Sequence, residues 1–278
     1  MNILELTTLI WLGSLFAGFL GALTGLGGGV VIVPLLTLVF GVDLRYAVGA
    51  SLVSVIATSS GAAAAYVKAG FTNMRIGIFL EVATTTGALA GAFVAAFLSP
   101  SIVAVIFGVV LALSALFASQ PRRTHSDPRP PDPLATRLRL DGSFPAREGT
   151  IDYKVRGVPG GFGLMFLAGG LSGLLGIGSG ALKVLAMDQV MRIPFKVSTT
   201  TSNFMIGVTA AASAGVYLHR GYISPGLALP VVLGVLPGAL LGTHFLATAK
   251  TKWLRWVFAA VILVLAAQMI YSGVTGKL

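Results

Sequence analysis

Long apolar runs alternate with short polar segments along this chain. The polar segments fall at seven places, namely 41–45, 68–75, 99–101, 119–157, 188–196, 219–222 and 247–255. A helix that crosses a bilayer core needs roughly 20 residues. Six of the apolar runs approach or reach that length, near 46–67, 76–97, 101–118, 198–218, 224–246 and 254–272. The pattern predicts an all-α, polytopic membrane protein.

The composition supports a membrane setting. Of the 278 residues, 55% are hydrophobic and 10% are charged, whereas a soluble domain carries about 25% charged residues. The net charge of +10 lies mostly in the polar segments between apolar runs. That placement favours cytoplasmic anchoring in an inner (plasma) membrane over binding to nucleic acid. Residues 1–12 hold no Lys or Arg, so we expect a retained helix there rather than a cleaved signal peptide.

Two further apolar stretches, 6–40 and 160–187, are interrupted by glycine-rich clusters. Glycine inside a helix costs about 1 kcal/mol relative to alanine, so several glycines within five residues should break the helix. We expect each stretch to form a hairpin of two short helices. The cluster residues are Gly25, Gly27, Gly28 and Gly29 in the first stretch and Gly176, Gly178, Ser179 and Gly180 in the second.

The two halves of the chain match each other at an offset of 151 residues without a gap. The matched pairs include Gly18 with Gly169, Gly25 with Gly176, Gly29 with Gly180, Ser51 with Ser202, and Tyr66 with Tyr217. Internal duplication is typical of secondary transporters. We therefore predict two homologous transmembrane repeats, 1–118 and 158–278, on either side of a cytoplasmic loop, 119–157. The repeats should hold eight full-length or ten total helical segments.

Basic residues predict the orientation of the repeats. The loop 119–157 holds seven Arg and one Lys and should be cytoplasmic by the positive-inside rule. Placing the basic segments 188–196 and 247–255 on the same side inverts the second repeat relative to the first. Parallel repeats are the alternative. The loop begins Pro-rich, which predicts a disordered arm. It then alternates around Asp141-Gly142, which predicts a small β-hairpin with an inserted or regulatory role.

Each glycine cluster should be followed by a restarting helix whose first amides point back toward the break. Free N–H groups and the positive end of a helix dipole bind anions. Two such ends, one per repeat, predict a substrate site near the bilayer midplane. The alternative is that the glycines only allow close packing of helices.

Polar side chains near the breaks are the candidate ligands. Lys183 lies three residues beyond Gly180 in apolar sequence, and a charge inside a membrane is costly and usually functional. We expect Lys183 to supply positive charge to the anion, unless it snorkels to the surface or pairs with Asp188. Side chains that can replace part of an anion's hydration shell are those of Ser51, Thr201, Ser202 and Asn203. For these, helix capping and helix–helix hydrogen bonding is the alternative.

Glu81 lies within the run 76–97 and is a candidate for carrying a coupled proton, with an interfacial position as the alternative. We predict no cofactor, no metal site and no enzymatic activity. The sequence has no cysteine, no Gly-Lys-Ser/Thr phosphate loop and no HExxH motif. Ser179 with His244 is the pair that a serine hydrolase would require here.

The sequence motifs around these residues resemble the TauE/SafE sulfite-exporter family of membrane transporters. They are Gly21–Gly29 with Pro34, Ala47–Leu52, Gly173–Gly180 and Lys196–Phe204. The resemblance covers both halves, nearly the whole chain apart from the central loop. It implies export or import of a sulfur-containing anion such as sulfite, a sulfonate or a sulfoacetate-like compound. Ser179 replaces the usual glycine, Leu185 stands where proline is expected, and Lys183 matches Ile32 of the first repeat. These departures suggest a subgroup whose substrate need not be sulfite itself.

We therefore expect a secondary active transporter that exports a small sulfur-containing anion, such as sulfite or an organosulfonate, by alternating access. The expected partners are the anion and the lipid bilayer, without nucleic acid. An anion channel and a non-transporting membrane scaffold that acts through the cytoplasmic loop are the alternatives. The sequence makes no prediction about the oligomeric state.

Overall fold

The structure is a computed structural model that describes residues 2–24, 28–68, 70–119, 132–146, 149–248 and 251–276. The first half contains α1 (Ile3–Thr24), α2 (Gly29–Pro34), the π-helical turn π1 (Leu35–Val39), α3 (Leu44–Lys68), α4 (Met74–Ala95) and α5 (Pro100–Ser119). The central segment contains α6 (Pro133–Arg137), β1 (Gly142–Ala146) and β2 (Gly149–Tyr153). The second half contains α7 (Val158–Leu175), α8 (Gly180–Leu185), the π-helical turn π2 (Ala186–Val190), α9 (Phe195–His219), α10 (Pro225–Thr248) and α11 (Thr251–Thr275).

The prediction of an all-α, polytopic membrane protein is confirmed. Within the described ranges, four helices are long and apolar enough to cross a membrane, over Leu4–Gly21, Met74–Ala95, Val158–Leu175 and Pro225–Gly242. The helices α3 and α9 are each 25 residues long, which corresponds to about 37 Å at 1.5 Å per residue. They carry more Ser and Thr than the four apolar helices.

The secondary structure recurs along the chain at the offset found in the sequence. The elements α8, π2 and α9 begin and end 151 residues after α2, π1 and α3. Each half therefore has the same order of a long helix, a short helix and three more long helices. The common ancestry of the halves and their inverted orientation stay predictions.

The second glycine cluster breaks its helix as expected. Helix α7 ends at Leu175, and the next helix begins at Gly180. Between them Gly176 and Gly178 have φ angles of 70° and 71°, and Ser179 has a φ of 45°. These are left-handed conformations that glycine adopts without steric cost. In the first half α1 ends at Thr24 and α2 begins at Gly29, and residues 25–27 lie outside the described part of the chain.

The expectation of two short helices in each glycine-broken stretch was wrong. The helix before each break is long, with 22 residues in α1 and 18 in α7. The helix after each break is short. Its six α-helical residues continue directly into a five-residue π-helical turn. The cluster thus separates one complete span from a segment of about 16 Å, roughly half the thickness of a bilayer core.

The two halves are joined by close contacts between glycine and backbone. Helix α1 packs on α10, and α7 packs on α4. A Cβ atom on Gly18 would meet the carbonyl oxygen of Val235, and one on Gly169 would meet that of Thr84. Small residues allow such close backbone approach in membrane helices. For these glycines, which lie outside the two clusters, close packing is therefore the role that the structure shows.

The central segment packs against the membrane helices from Asp132 onward. Strands β1 and β2 pair antiparallel, from Gly142 opposite Tyr153 to Ala146 opposite Gly149. We expected the hairpin to turn at Asp141-Gly142. These residues instead lie at its open end. The Asp141 carboxylate instead accepts a hydrogen bond of 2.8 Å from the Val155 amide at the open end of the hairpin. The Pro-rich arm predicted to be disordered falls mostly at 120–131, outside the described residues.

Asn73 connects this segment to the membrane helices. Its side chain caps α4 by accepting from the Ile76 amide at 3.1 Å. Its Nδ2 donates to Tyr153 Oη at 2.7 Å and to the Leu140 carbonyl at 3.1 Å. Its backbone amide donates to Thr201 Oγ1 on α9 at 3.1 Å. The hairpin is therefore anchored at the start of α4.

The packing of α7 on α4 predicts unequal effects of two glycine substitutions on one helix. Gly169→Ala should lower the free energy of unfolding by about 1–3 kcal/mol, because the new methyl group meets the Thr84 carbonyl and forces the helices apart. Gly163→Ala is the matched control, since nothing lies within 4 Å of its Cβ position. Thermal unfolding in detergent measures both. Equal midpoints for the two variants would contradict the close packing.

Candidate functional site

The start of α2 meets the second helix break in the interior of the protein. A Cβ atom placed on Gly29 would lie 2.7 Å from Ser51 Oγ and 3.1 Å from the carbonyl oxygen of Gly176. The Ser51 hydroxyl donates to that same carbonyl at 2.8 Å. All three residues are buried. The start of α2 and the end of α7, which belong to different halves of the chain, are therefore in direct contact.

Val55 lies between the breaks. Its Cγ2 is 2.8 Å from the Cβ position of Gly29, and its Cγ1 is 3.3 Å from the Cβ position of Gly178. On α9, Ile206 occupies the position 151 residues later, and its Cγ2 lies 2.8 Å from the Cβ position of Gly178. Two buried apolar side chains from α3 and α9 thus close the space around the junction.

The short helices begin with amides that have no acceptor inside their own helix. In α8 the first backbone hydrogen bond runs from Lys183 N to Ser179 O at 3.1 Å. The amides of residues 180–182 come before this bond and have no acceptor within α8. In α2 the amides of Val31 and Ile32 donate to Gly28 O at 3.1 Å, so the amides of residues 29 and 30 precede them. The unpaired amides of a helix start carry the positive end of the dipole.

Two hydroxyl groups lie at the start of α8. Ser202 Oγ donates to the Gly180 carbonyl at 3.3 Å, which places α9 beside this end. The Ser179 side chain is buried, and its Oγ has no hydrogen-bond partner among the described residues. Because buried polar atoms are almost always paired, this unsatisfied hydroxyl is a candidate ligand contact.

Lys183 is fully buried, with 0% of its surface exposed. Its Nζ donates to Thr209 Oγ1 on α9 at 2.5 Å. The expected alternatives, a lysine that snorkels to the surface or one that pairs with Asp188, are therefore not what the structure shows. Burial of the whole side chain excludes snorkelling, and the contact of the ammonium is a hydroxyl group.

The path of the chain places this ammonium ahead of α8. Gly180 lies beside Ser202, and Ile193 N donates to Met187 O at 2.9 Å, so α8 and α9 run antiparallel. Thr209 is two helical turns beyond Ser202, about 10 Å further along α9. The Lys183 side chain therefore runs back past the first turn of α8, toward the side that the free amides face.

Glu81 on α4 completes this polar cluster. Its Oε1 accepts from Thr209 Oγ1 at 2.7 Å and from Thr85 Oγ1 at 2.9 Å. The residue is 9% exposed, so its carboxylate is buried within the protein. The Thr209 hydroxyl lies between an ammonium of the second half and a carboxylate of the first half.

The other predicted site residues are more scattered. Gly28 is buried beside α10, with its Cβ position 3.3 Å from Val235 Cγ1. Thr201 is turned toward the start of α4, where it accepts the Asn73 amide. Asn203 is half-buried on α9. Gly25 and Gly27, and the side chain of His244, lie outside the described part of the chain.

Thr209 was missed by the sequence analysis, and so was the link that its hydroxyl makes between Lys183 and Glu81. A signal for it is present in the repeat. At the 151-residue offset Thr209 matches Thr58, Lys183 matches Ile32, and Glu81 matches Val232. Both charged residues thus lie at positions where the other half of the chain has an apolar residue. A joint departure of this kind indicates a contact.

The comparison of sequences with known proteins agrees with this architecture. A family model described as sulfite exporter TauE/SafE matches residues 10–269. The chain belongs to the TauE/SafE sulfite exporter family. As a member of the TauE/SafE family it is a membrane transporter with a small-molecule substrate.

Relatives of the chain carry similar descriptions. It is 28% identical over 267 residues to the probable membrane transporter protein YunE of Bacillus subtilis, covering 94% of this chain and 96% of the relative. It is 26% identical over 282 residues to the probable membrane transporter protein MJ0441 of Methanocaldococcus jannaschii, covering 96% of each. A probable membrane transporter protein of Xylella fastidiosa is 26% identical over 279 residues, covering 98% of each. No solved structure matches the chain significantly.

The contact between the breaks predicts a large effect of a small substitution on α3. Ser51→Ala should lower the free energy of unfolding by about 1–3 kcal/mol, because the buried Gly176 carbonyl loses its donor. Ser60→Ala is the matched control, since that hydroxyl is exposed and bonds to Ile56 O within its own helix. Chemical denaturation in detergent compares the two. A Ser60 effect as large as the Ser51 effect would contradict the assignment.

Proposed function

We propose that this TauE/SafE family member is a secondary active transporter in the inner membrane that carries a small sulfur-containing anion by alternating access. Sulfite and organosulfonates are the candidate substrates. Export is the direction that the family description gives. The observation that supports the proposal is the buried contact between the start of α2 and the second helix break, together with a fully buried lysine on α8, the helix that follows this break.

The start of α8 offers the groups that an oxyanion requires. Free amides and the helix dipole attract negative charge. The Ser179 hydroxyl is buried and has no partner among the residues that the structure describes, and the Lys183 ammonium lies on the side that the amides face. In the proposed site the anion accepts from these amides and from Ser179 Oγ, with Lys183 balancing its charge. Ser51 and Ser202 hold the backbone of the breaks in place.

The burial of the site favours a carrier over a channel. Lys183 is completely covered, and Val55 fills the space between the breaks. An anion therefore reaches the site only after helices move. Transporters of this kind alternate by moving one bundle of helices against another around a central site. The packed pairs α1 with α10 and α4 with α7 are the candidate bundles, moving against α3 and α9.

Anion binding should raise the thermal stability of the purified protein. A ligand that binds the native state stabilises it by about 2.7 kcal/mol at 100 times its dissociation constant. The panel to test contains sulfite, methanesulfonate, sulfoacetate, acetate and chloride, with thermal unfolding as the readout. Lys183→Gln should abolish the stabilisation, whereas Lys154→Gln, at an exposed position of the central segment, should retain it.

The outcome of this panel decides the substrate class. Stabilisation by sulfur oxyanions above acetate and chloride is the result expected. An equal response of the Lys183→Gln variant and the wild type would remove the lysine from the site. No response to any anion of the panel would remove the proposed site altogether.

A carrier and a channel differ in how they exchange labelled substrate. Proteoliposomes loaded with unlabelled sulfite should take up labelled sulfite transiently above equilibrium, because a carrier returns with cargo. The uptake should saturate with concentration. A linear, non-saturating flux without counterflow would identify a channel instead.

A further inference from the structure

The cluster of Lys183, Thr209 and Glu81 joins three helices from both halves of the chain. Lys183 on α8 donates to Thr209 on α9, and Thr209 donates to Glu81 on α4. The second carboxylate oxygen of Glu81, Oε2, is buried and has no partner among the described residues. An ionised carboxylate in this setting needs more donors than the structure gives it. Oε2 is therefore a place where a proton can be held.

The charges of the cluster constrain what can bind beside it. With Lys183 and Glu81 both ionised, the pair is neutral. A monovalent anion added at the start of α8 would leave one uncompensated negative charge in a low-dielectric interior, which is strongly unfavourable. If Glu81 is protonated, the ammonium and the anion form the neutral pair instead. Anion binding and proton uptake are therefore favourable together and unfavourable separately.

We propose that Glu81 is the proton site of this transporter, and that one proton on Glu81 Oε2 travels with each monovalent anion held at Lys183. This proposal rests on the proposed anion site. In the step, a proton from one side of the membrane adds to the Glu81 carboxylate. The Lys183 ammonium then leaves Thr209, and the anion replaces the carboxylate as its counter-ion. On the other side the anion leaves, the proton is lost, and the ammonium returns to Thr209. No net charge crosses the membrane, and the combined gradients of anion and proton set the direction, so export occurs where the outward anion gradient exceeds the inward proton gradient.

Few other charged groups face Glu81. Helix α4 packs on α7 and α9. Helix α7 contains no ionisable side chain, and on α9 these lie near the ends, at Lys196, Tyr217 and His219. Lys183 is the charged group that acts on Glu81, together with the hydroxyls of Thr84, Thr85 and Thr209. Asp188, in π2, lies more than one turn beyond Lys183, and its Oδ2 accepts from Gln189.

The repeat supports a single proton site. The positions that match Glu81 and Lys183 in the other half hold Val232 and Ile32, while Thr209 is matched by Thr58. The matching positions in the other half thus keep the hydroxyl group but lack both charged groups. One proton per transport cycle follows from this asymmetry.

The test uses the full chain in proteoliposomes and labelled methanesulfonate, which stays monovalent across the pH range and carries no proton itself. With the outside one pH unit more acidic than the lumen, wild-type protein should accumulate the probe up to about tenfold, the limit for one proton per anion. A protonophore should abolish the accumulation. Clamping the membrane potential at different values should leave it unchanged.

Variants distinguish loss of the proton site from loss of the folded structure. Glu81→Gln should accumulate no probe under the pH gradient, and its counterflow should no longer depend on pH. Thr209→Val should lose most of the coupling, whereas Thr209→Ser, which keeps the hydroxyl, should restore it. Asp43→Asn is the matched carboxylate-to-amide control at an exposed position and should behave as the wild type does. Thermal unfolding confirms that each variant is folded.

The outcomes distinguish this inference from the proposed function. Absence of counterflow in the wild type with both sulfite and methanesulfonate would overturn both. Counterflow without accumulation under a pH gradient would overturn the proton site and leave the anion carrier standing. Accumulation by folded Glu81→Gln at the wild-type level would assign the proton elsewhere, and accumulation that changes with membrane potential would contradict the neutral cargo.

Discussion

The hydrogen bond from Ser51 to the Gly176 carbonyl shows the constraint on which this structure depends. A helix that breaks inside a membrane exposes backbone groups, and hydrocarbon offers them no partner. Here each group must be satisfied by protein or by a ligand. The end of α7 is satisfied by a side chain of the other half, so the break holds the halves together. In the described part of the chain the Ser179 hydroxyl has no such partner, and in the proposed site the bound anion supplies one.

Glycine serves two purposes in the chain, and the structure separates them. Along α1, α4, α7 and α10 single glycines allow backbones to touch, as Gly87 does at the Phe166 carbonyl. In the cluster 176–180 they allow left-handed backbone conformations that end a helix. The first use makes two tightly packed helix pairs, each with a member from both halves. The second places a polar junction among them. Both features fit the proposed carrier, in which rigid bundles move around a polar site.

Much of this could be predicted from local sequence. The position of the second break follows from glycines within five residues, and the burial of Lys183 follows from its apolar surroundings. Tertiary contacts could not be predicted in the same way. Nothing local to Thr201 shows that its hydroxyl accepts the Asn73 amide, or that Asp141 bonds to Val155 rather than forming a turn. The pairing of Lys183 with Glu81 depends on how α4 packs on α9. It could be found only by noticing that both charges depart from the repeat at matching positions.

The location of a bound oxyanion is the most direct test of the shared junction. Selenite is a heavier analogue of sulfite, and its selenium can be placed by anomalous diffraction from crystals of the full chain. The account predicts one peak ahead of the first turn of α8, with an oxygen within about 3 Å of Ser179 Oγ and the Lys183 ammonium turned toward it. A peak away from both breaks, or density for a continuous helix through residues 176–179, would contradict it.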